Sequence, residues 1–322
     1  MFDTRRTDAV LLLVALVWGS SYLSAKTATQ ALPILLVLFA RYGISAIACL
    51  ALLLARGRKG RWTRDEMRVG SVLGITQAAV LTLETYGVAH TSAANAGLLI
   101  SLTIVLTPLL DRTAGGGRLP PRFFAAAGVC LLAVALLMSG SGFHAPRIGD
   151  LLILAAAVVR AAHVALVGRL TRNHVVRPLH LTAVQTVVGT ALFAVPAASS
   201  LPKLTQLDAA AWIQLVHLAL FCSVFAFLAQ TWAVQKSSAS RAGLLLGTEP
   251  VWAVAIGIGL GGEDFTAPAA LGAALMVTGT YWGQSIERAH RATGTTEERT
   301  PPRTTAGEAL SAASARPRWP ST

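Results

Sequence analysis

Charge is scarce in this chain. Only 13% of its 322 residues are Asp, Glu, Lys or Arg, against about a quarter in an ordinary soluble domain. Acidic residues are the scarcer kind, 15 against 27 basic ones. Cysteine is nearly absent. Cys49, Cys130 and Cys222 all fall inside apolar stretches, which excludes a disulfide framework and leaves them as packing residues. No group of His, Cys and carboxylates has metal-ligand spacing, so no metal and no cofactor is expected. Gly115–Gly117 lacks the Lys-Ser/Thr that would complete a phosphate loop, and no nucleophile–base spacing stands out. The sequence thus reads as no enzyme. It also lacks a nucleotide-driven motor domain, so uphill movement of a solute would draw on an ion gradient or a counter-substrate.

Apolar residues fill the space that charge leaves, at 54% of the chain. A membrane-spanning helix needs about 20 of them in a row. Ten stretches qualify: residues 8–28, 33–55, 68–89, 93–111, 122–140, 149–169, 178–198, 209–234, 241–262 and 267–286. The boundary between the third and fourth is the least marked. An integral membrane protein is expected, all α-helical, with the lipid bilayer as its first partner. A net charge of +12 would suit nucleic acid, but its placement argues against that partner. With ten spans and a cytoplasmic N-terminus, 22 of the 27 Lys and Arg lie on the cytoplasmic side and three, Lys26, Arg147 and Lys203, on the other. That split is the positive-inside pattern. It predicts a multi-pass protein of the cytoplasmic membrane with both termini cytoplasmic and anionic headgroups nearby. Arg5-Arg6 before an apolar run imitates a signal peptide, yet the first span carries motif residues and is expected to stay.

One passage occurs twice. Residues 85–99, TYGVAHTSAANAGLL, and 231–245, TWAVQKSSASRAGLL, agree at eight of fifteen positions at an offset of 146. Five spans precede residue 146 and five follow it. An odd number of spans per copy inverts the second copy relative to the first, the usual build of secondary transporters, with the substrate site at the repeat interface. The layout is therefore an N-terminus over 1–8, a first five-helix repeat over 9–140, a second over 148–286, and a polar, disordered cytoplasmic tail over 287–322.

The motifs resemble the EamA-like family of the drug/metabolite transporter superfamily. Trp18, Gly19, Ser20 and Lys26 match its first-helix pattern, Pro33 and Arg41 follow in the second helix, and Glu249-Pro250 with Gly262-Glu263 match its later run. The first half departs from the pattern: Gly115-Gly116-Gly117-Arg118 stands where Gly-Glu belongs, and Pro108 lies four residues beyond the equivalent of Pro250. Arg160 stands in the sixth helix where the symmetry mate is Trp18. The resemblance implies ten helices around a central cavity and export of small metabolites by alternating access. Amino acids or related compounds are the first expectation for the small-molecule substrate. Exchange of anionic or sugar-linked metabolites, toxic-compound efflux, and a non-transporting receptor or scaffold are the alternatives.

Five ionisable residues lie well inside spans: Arg41, Glu84, Arg160, His163 and Glu249. Such residues usually face a partner or a wet cavity. Measured from the outer face at about 1.5 Å per residue, Arg41 lies about 12 Å deep, Glu84 about 8 Å, Arg160 about 15 Å and Glu249 about 20 Å. These depths predict two pairs, Arg41 with Glu84 and Arg160 with Glu249. Functionally, an Arg holds a substrate carboxylate or phosphate bidentately, and a Glu holds an amine or a proton. Structurally, both pairs are salt bridges locking helices together. His163, one turn from Arg160, is a candidate proton relay with Glu249. Trp18, Tyr86 and Trp232 are candidate cavity walls, and Gln185 and Gln230 candidate polar lining. Pro108 and Pro250 are candidate helix breaks. The glycine pairs 70/74, 243/247, 257/261 and 279/283 fit close helix packing, the last also offering a face for a homodimer.

Overall fold

The computed structural model describes residues 2–55, 62–90, 99–113, 119–139, 148–173, 176–252, 255–256 and 267–299. Its elements are helical, with no strand among the described residues. In chain order they are α1 (Phe2–Ala31), α2 (Ile34–Ala55), α3 (Arg64–His90), α4 (Thr103–Thr113), α5 (Pro121–Ser139), α6 (Ile148–Asn173), α7 (Pro178–Ala197), α8 (Ala209–Lys236), α9 (Ala239–Leu246) and α10 (Ala267–Arg299). A 3-10 segment, Ala198–Gln206, follows α7, and a π-turn, Leu220–Phe225, interrupts α8.

The helices start where their side chains can satisfy open backbone donors. Thr63 and Glu66 form a reciprocal capping box at the head of α3, each side chain accepting from the other's backbone N–H at 3.1 Å. Asp208 caps α8 by accepting from Ala211 N at 2.8 Å, and Ser238 caps α9 by accepting from Arg241 N at 3.0 Å. Pro121 opens α5 and Pro178 opens α7, positions where a missing N–H costs nothing. The repeated passage is a helix junction, as expected, in its second copy: α8 ends at Lys236 and α9 starts at Ala239. In the first copy α3 ends at His90, and residues 91–98 lie outside the described residues.

Among the described residues six helices are long and apolar enough to cross a membrane: α1, α2, α3, α6, α7 with its 3-10 extension, and α8. The four other expected spans correspond to α4, α5, α9 and α10. The last runs to Arg299, past the expected end at 286.

Helix contacts obey an exchange rule. Replacing each helix by the one five places on turns α3–α6 into α8–α1, α3–α7 into α8–α2 and α4–α6 into α9–α1, while α2–α7, α4–α9 and α5–α10 map onto themselves; all of these pairs are in contact. This is what a two-fold axis relating two five-helix halves produces. The largest apolar cluster joins α1, α2, α3, α6, α7, α8 and α9, and a second, around Ile104, Phe123, Cys130, Leu244 and Met276, joins α4, α5, α9 and α10. The outer surface carries Ile47, Val195, Ile213, Val277 and Tyr281, each at least 65% exposed. Apolar side chains outside with charged ones inside suit hydrocarbon as the solvent.

Three of the glycine pairs, 70/74, 243/247 and 279/283, pack helices closely as read. Gly70 and Gly74 let α3 meet Val184, Gln185 and Val188 of α7, and an added Cβ at Gly70 would stand 2.7 Å from Val184 Cβ. Gly189 lies against the Tyr42 ring and Gly247 against Ile104, with no room for a side chain. The 279/283 pair faces inward: Gly279 meets Cys130 and Val129 of α5, and Gly283 meets Leu244 of α9. That face is taken up within the chain, so it is not free for a homodimer. Gly257 and Gly261 lie outside the described residues, as do Gly115–Arg118 and Gly262-Glu263.

Candidate functional site

A cavity lies between the halves, on the exchange axis. The first half lines it with Trp18, Ser21 and Tyr22 of α1, Arg41 of α2, and Gln77, Val80, Leu81 and Glu84 of α3. The second half contributes Arg160 and His163 of α6, Phe227 and Gln230 of α8, and Glu249 just beyond α9. Each set recurs at three or four residues, one face of its helix. Four pairs are sequence equivalents: Trp18 with Arg160 and Ser21 with His163 at an offset of 142, Leu81 with Phe227 and Glu84 with Gln230 at 146. Equivalent positions meet only on the axis. The internal volume is about 30 Å³, room for about two water molecules.

The charges converge differently from the two expected pairs. Arg160 bridges two carboxylates, donating from Nη2 to Glu249 Oε2 at 2.7 Å and from Nη1 to Glu84 Oε1 at 3.2 Å. The Arg160–Glu249 pair is present; the Arg41–Glu84 pair is replaced by Arg160–Glu84. Sequence depth alone could not separate two arginines only about 3 Å apart along the membrane normal. Arg160 also lies over the Trp18 ring, its Cζ 4.4 Å from the centroid, a cation–π contact. Arg41 turns to α8 instead. Its Nε donates to Ser223 Oγ at 2.7 Å and its Nη2 to the Cys222 carbonyl at 3.2 Å.

The π-turn explains how α8 accepts these bonds. A π-turn pulls carbonyls out of the regular i to i+4 ladder and often marks a functional segment. Here the Cys222 carbonyl accepts from both Arg41 Nη2 and Trp18 Nε1, the latter at 3.0 Å. One carbonyl thereby fixes an arginine and an indole from the other half. No sequence feature signalled this turn.

Glu249 stands at a break in the helix. α9 stops at Leu246, Gly247-Thr248 form a turn, and helix resumes at Glu249. Around the turn the ladder shortens, with Thr248 N donating to Leu245 O and Val251 N to Thr248 O. Pro250 has no N–H to offer Leu246. The first half breaks at the equivalent place, Ser101-Leu102, before α4. Pro108 lies inside α4, which continues through it, so Pro108 is not the break. The Ser101 and Gly247 turns share the 146-residue offset, and backbone symmetry rather than proline position sets both.

Other expectations fare unevenly. His163 is buried in the cavity wall, its Nδ1 hydrogen-bonded to Thr76 Oγ1 at 2.8 Å. Gln230 lines the cavity; Gln185 does not, its Nε2 being buried between helices without a partner among the described residues. Trp232 and Tyr86 lie away from the lining, and Trp232 packs against the main apolar cluster. The aromatic walls are Trp18, Tyr22 and Phe227. Tyr22, Ser21, Gln77 and Phe227 were missed, though Ser21, Tyr22 and Phe227 lie three or four residues, and Gln77 seven, from a residue already singled out on the same helix. Among the described residues no group of three or more metal-ligating side chains occurs.

Two further ion pairs join the halves at one rim. Arg241, at the start of α9, grips Asp8 of α1 with two bonds of 2.8 and 2.5 Å. Arg177, before α7, grips Glu66 of α3 with bonds of 2.7 and 2.9 Å.

Comparison with known proteins agrees with this architecture. The sequence matches the EamA-like transporter family twice, over residues 5–139 and 147–282. An uncharacterized transporter of Archaeoglobus fulgidus is 26% identical over 84% of this chain and 83% of its own length. The uncharacterized inner membrane transporter YedA of Escherichia coli K12 is 24% identical over 80% of this chain and 83% of its own. A crystal structure of a protein 21% identical shares the fold, with a TM-score of 0.69 over 88% of this chain and 98% of that one. With two family matches coinciding with two structural halves, this multi-pass membrane protein belongs to the EamA-like transporter family.

Proposed function

We propose that the chain is a secondary transporter that exports small polar metabolites across the cytoplasmic membrane by alternating access, with the cavity on the exchange axis as its substrate site. The observation that carries this reading is the convergence of Arg160, Glu84 and Glu249 in that cavity. Charges paired only to lock helices would be expected in dry packing. These face open space, and 20% of the Glu84 side chain is exposed. In the form described, the space is too small for a metabolite, so substrate enters when the halves part on one side. The helix breaks before α4 and at Glu249 supply hinges at equivalent places, as in transporters with discontinuous helices. Glu249 and His163 are the proposed proton carriers, coupling export to a proton or a counter-substrate. The gathering of 22 basic residues on one side of a ten-span layout supports cytoplasmic termini.

The test is untargeted mass spectrometry of the medium from cells expressing the wild type or Glu249→Gln, with membrane insertion of both verified. The expected result is a set of small molecules enriched by the wild type and lost in the variant. Equal enrichment by both across a range of pH removes Glu249 from the mechanism. No enrichment by either contradicts export.

A further inference from the structure

Resting on that transport reading, we infer that Arg41, and not Arg160, reads an anionic group on the substrate, while Glu84 at the opposite pole reads a cationic one. The cavity is bipolar. At one pole a single guanidinium faces two carboxylates, Glu84 at 3.2 Å and Glu249 at 2.7 Å. Both forks of Arg160 are engaged, which leaves it little to offer a ligand, and the pole carries one more carboxylate than cation. Of the two carboxylates Glu84 is the more open, at 20% of its side chain against 5% for Glu249. A ligand ammonium therefore meets Glu84 first.

The other pole is the reverse. Arg41 is 6% exposed, and among the described residues its hydrogen bonds go to neutral acceptors, the Ser223 hydroxyl and the Cys222 carbonyl. A guanidinium has five N–H donors, and among the described residues no acceptor takes those on Nη1. Arg41 is thus a buried cation held in position from behind by the π-turn, in the wall of the cavity, with no carboxylate in ion-pair contact among the described residues. A buried charge without a contacting counter-charge is costly; a carboxylate or phosphate on the substrate lowers that cost. A ligand with only a cationic group leaves Arg41 bare. A dianion meets the surplus carboxylate. A compact ligand bearing one charge of each sign completes both poles and adds no net charge to a site of low dielectric constant.

The full chain reconstituted in proteoliposomes tests this with three probe mixtures: the protein-forming amino acids, the corresponding amines without the carboxylate, and the corresponding acids without the amine. Vesicle contents are read by mass spectrometry. The wild type is expected to favour the doubly charged set by at least about tenfold, because a site built for a polar group rejects the analogue lacking it. Arg41→Gln is expected to abolish the preference over amines, whereas Arg160→Gln lowers flux of all sets alike. If Arg41→Gln fails to insert, Glu84→Gln tests the other pole, and the preference over acids should vanish. Retained discrimination in Arg41→Gln, or singly charged probes moving as fast as amino acids in the wild type, overturns the inference. Flux of none of the sets, with some other compound enriched in the medium experiment, overturns it and leaves the transport reading standing; silence in both experiments overturns both.

Discussion

The two halves of the cavity share positions but not chemistry. Trp18 and Arg160 occupy equivalent points, as do Ser21 and His163, Leu81 and Phe227, and Glu84 and Gln230. Glu249 corresponds, at the 146-residue offset, to Thr103. Backbone symmetry gives two interchangeable halves, which alternating access requires. Side-chain asymmetry makes the two sides of the site chemically distinct. Arg160 lies over its equivalent, Trp18, at 4.4 Å because both stand beside the axis. A symmetric cavity with two arginines or two tryptophans at these points would crowd like groups together.

The largest way to break this asymmetry is Arg160→Ala. It strands Glu84 and Glu249 in the interior, at a cost of about 3–5 kcal/mol for breaking a buried pair. Melting in detergent should fall sharply. The double variant Arg160→Ala/Glu249→Ala should recover part of the loss, since one stranded carboxylate is removed. A double variant as unstable as, or less stable than, the single would show that Glu249 is not held by Arg160. A smaller change makes the halves more alike. Gln230→Glu puts carboxylates at both equivalent points, three around one arginine. Export should drop by about tenfold, some 1.4 kcal/mol, with insertion intact; unchanged export would mean that Gln230 does not feel the site.

The rim pairs sharpen the comparison from outside. Glu66 is 1% exposed, but its partner Arg177 is 40% exposed, so solvent screens the pair. Glu66→Gln should cost about 1 kcal/mol or less, measured by the same melt. A loss as large as that of Arg160→Ala would place the critical charge coupling at the rim. The smallest effect is expected at Trp232→Phe, which keeps an aromatic against the main apolar cluster at a residue outside the cavity lining. Export should stay within about twofold; a larger loss would restore Trp232 to the site.

Sequence patterning disclosed the frame because hydrocarbon imposes simple rules. A span must be apolar for about 20 residues, so the apolar blocks marked the helices, and the repeated passage marked the symmetry. Scarce charge made the cavity residues conspicuous: Arg41, Glu84, Arg160, His163, Gln230 and Glu249 all reach it. Pairing was less legible. Depth along the membrane normal orders residues within a helix but says nothing about which helices adjoin, and α3 packs on α6, bringing Glu84 to Arg160. Trp232 and Tyr86 were candidate cavity walls, yet the face of α8 that turns inward carries Phe227 and Gln230. The π-turn over Leu220–Phe225 left no trace in a run of ordinary apolar residues, although it positions Arg41. Pro108 misled because the break follows the symmetric turn, not the proline.

Alternating access of this cavity is the central claim. The direct measurement is thiol labelling of Gln230→Cys by a membrane-impermeant reagent applied separately to each face of sealed vesicles. The three native cysteines are buried, so each is first replaced by Ala or Ser to clear the background. The account predicts labelling from both faces, because the same position opens alternately to each side. Labelling from one face only, at every temperature and pH at which the protein is folded, would contradict it and describe a fixed pocket.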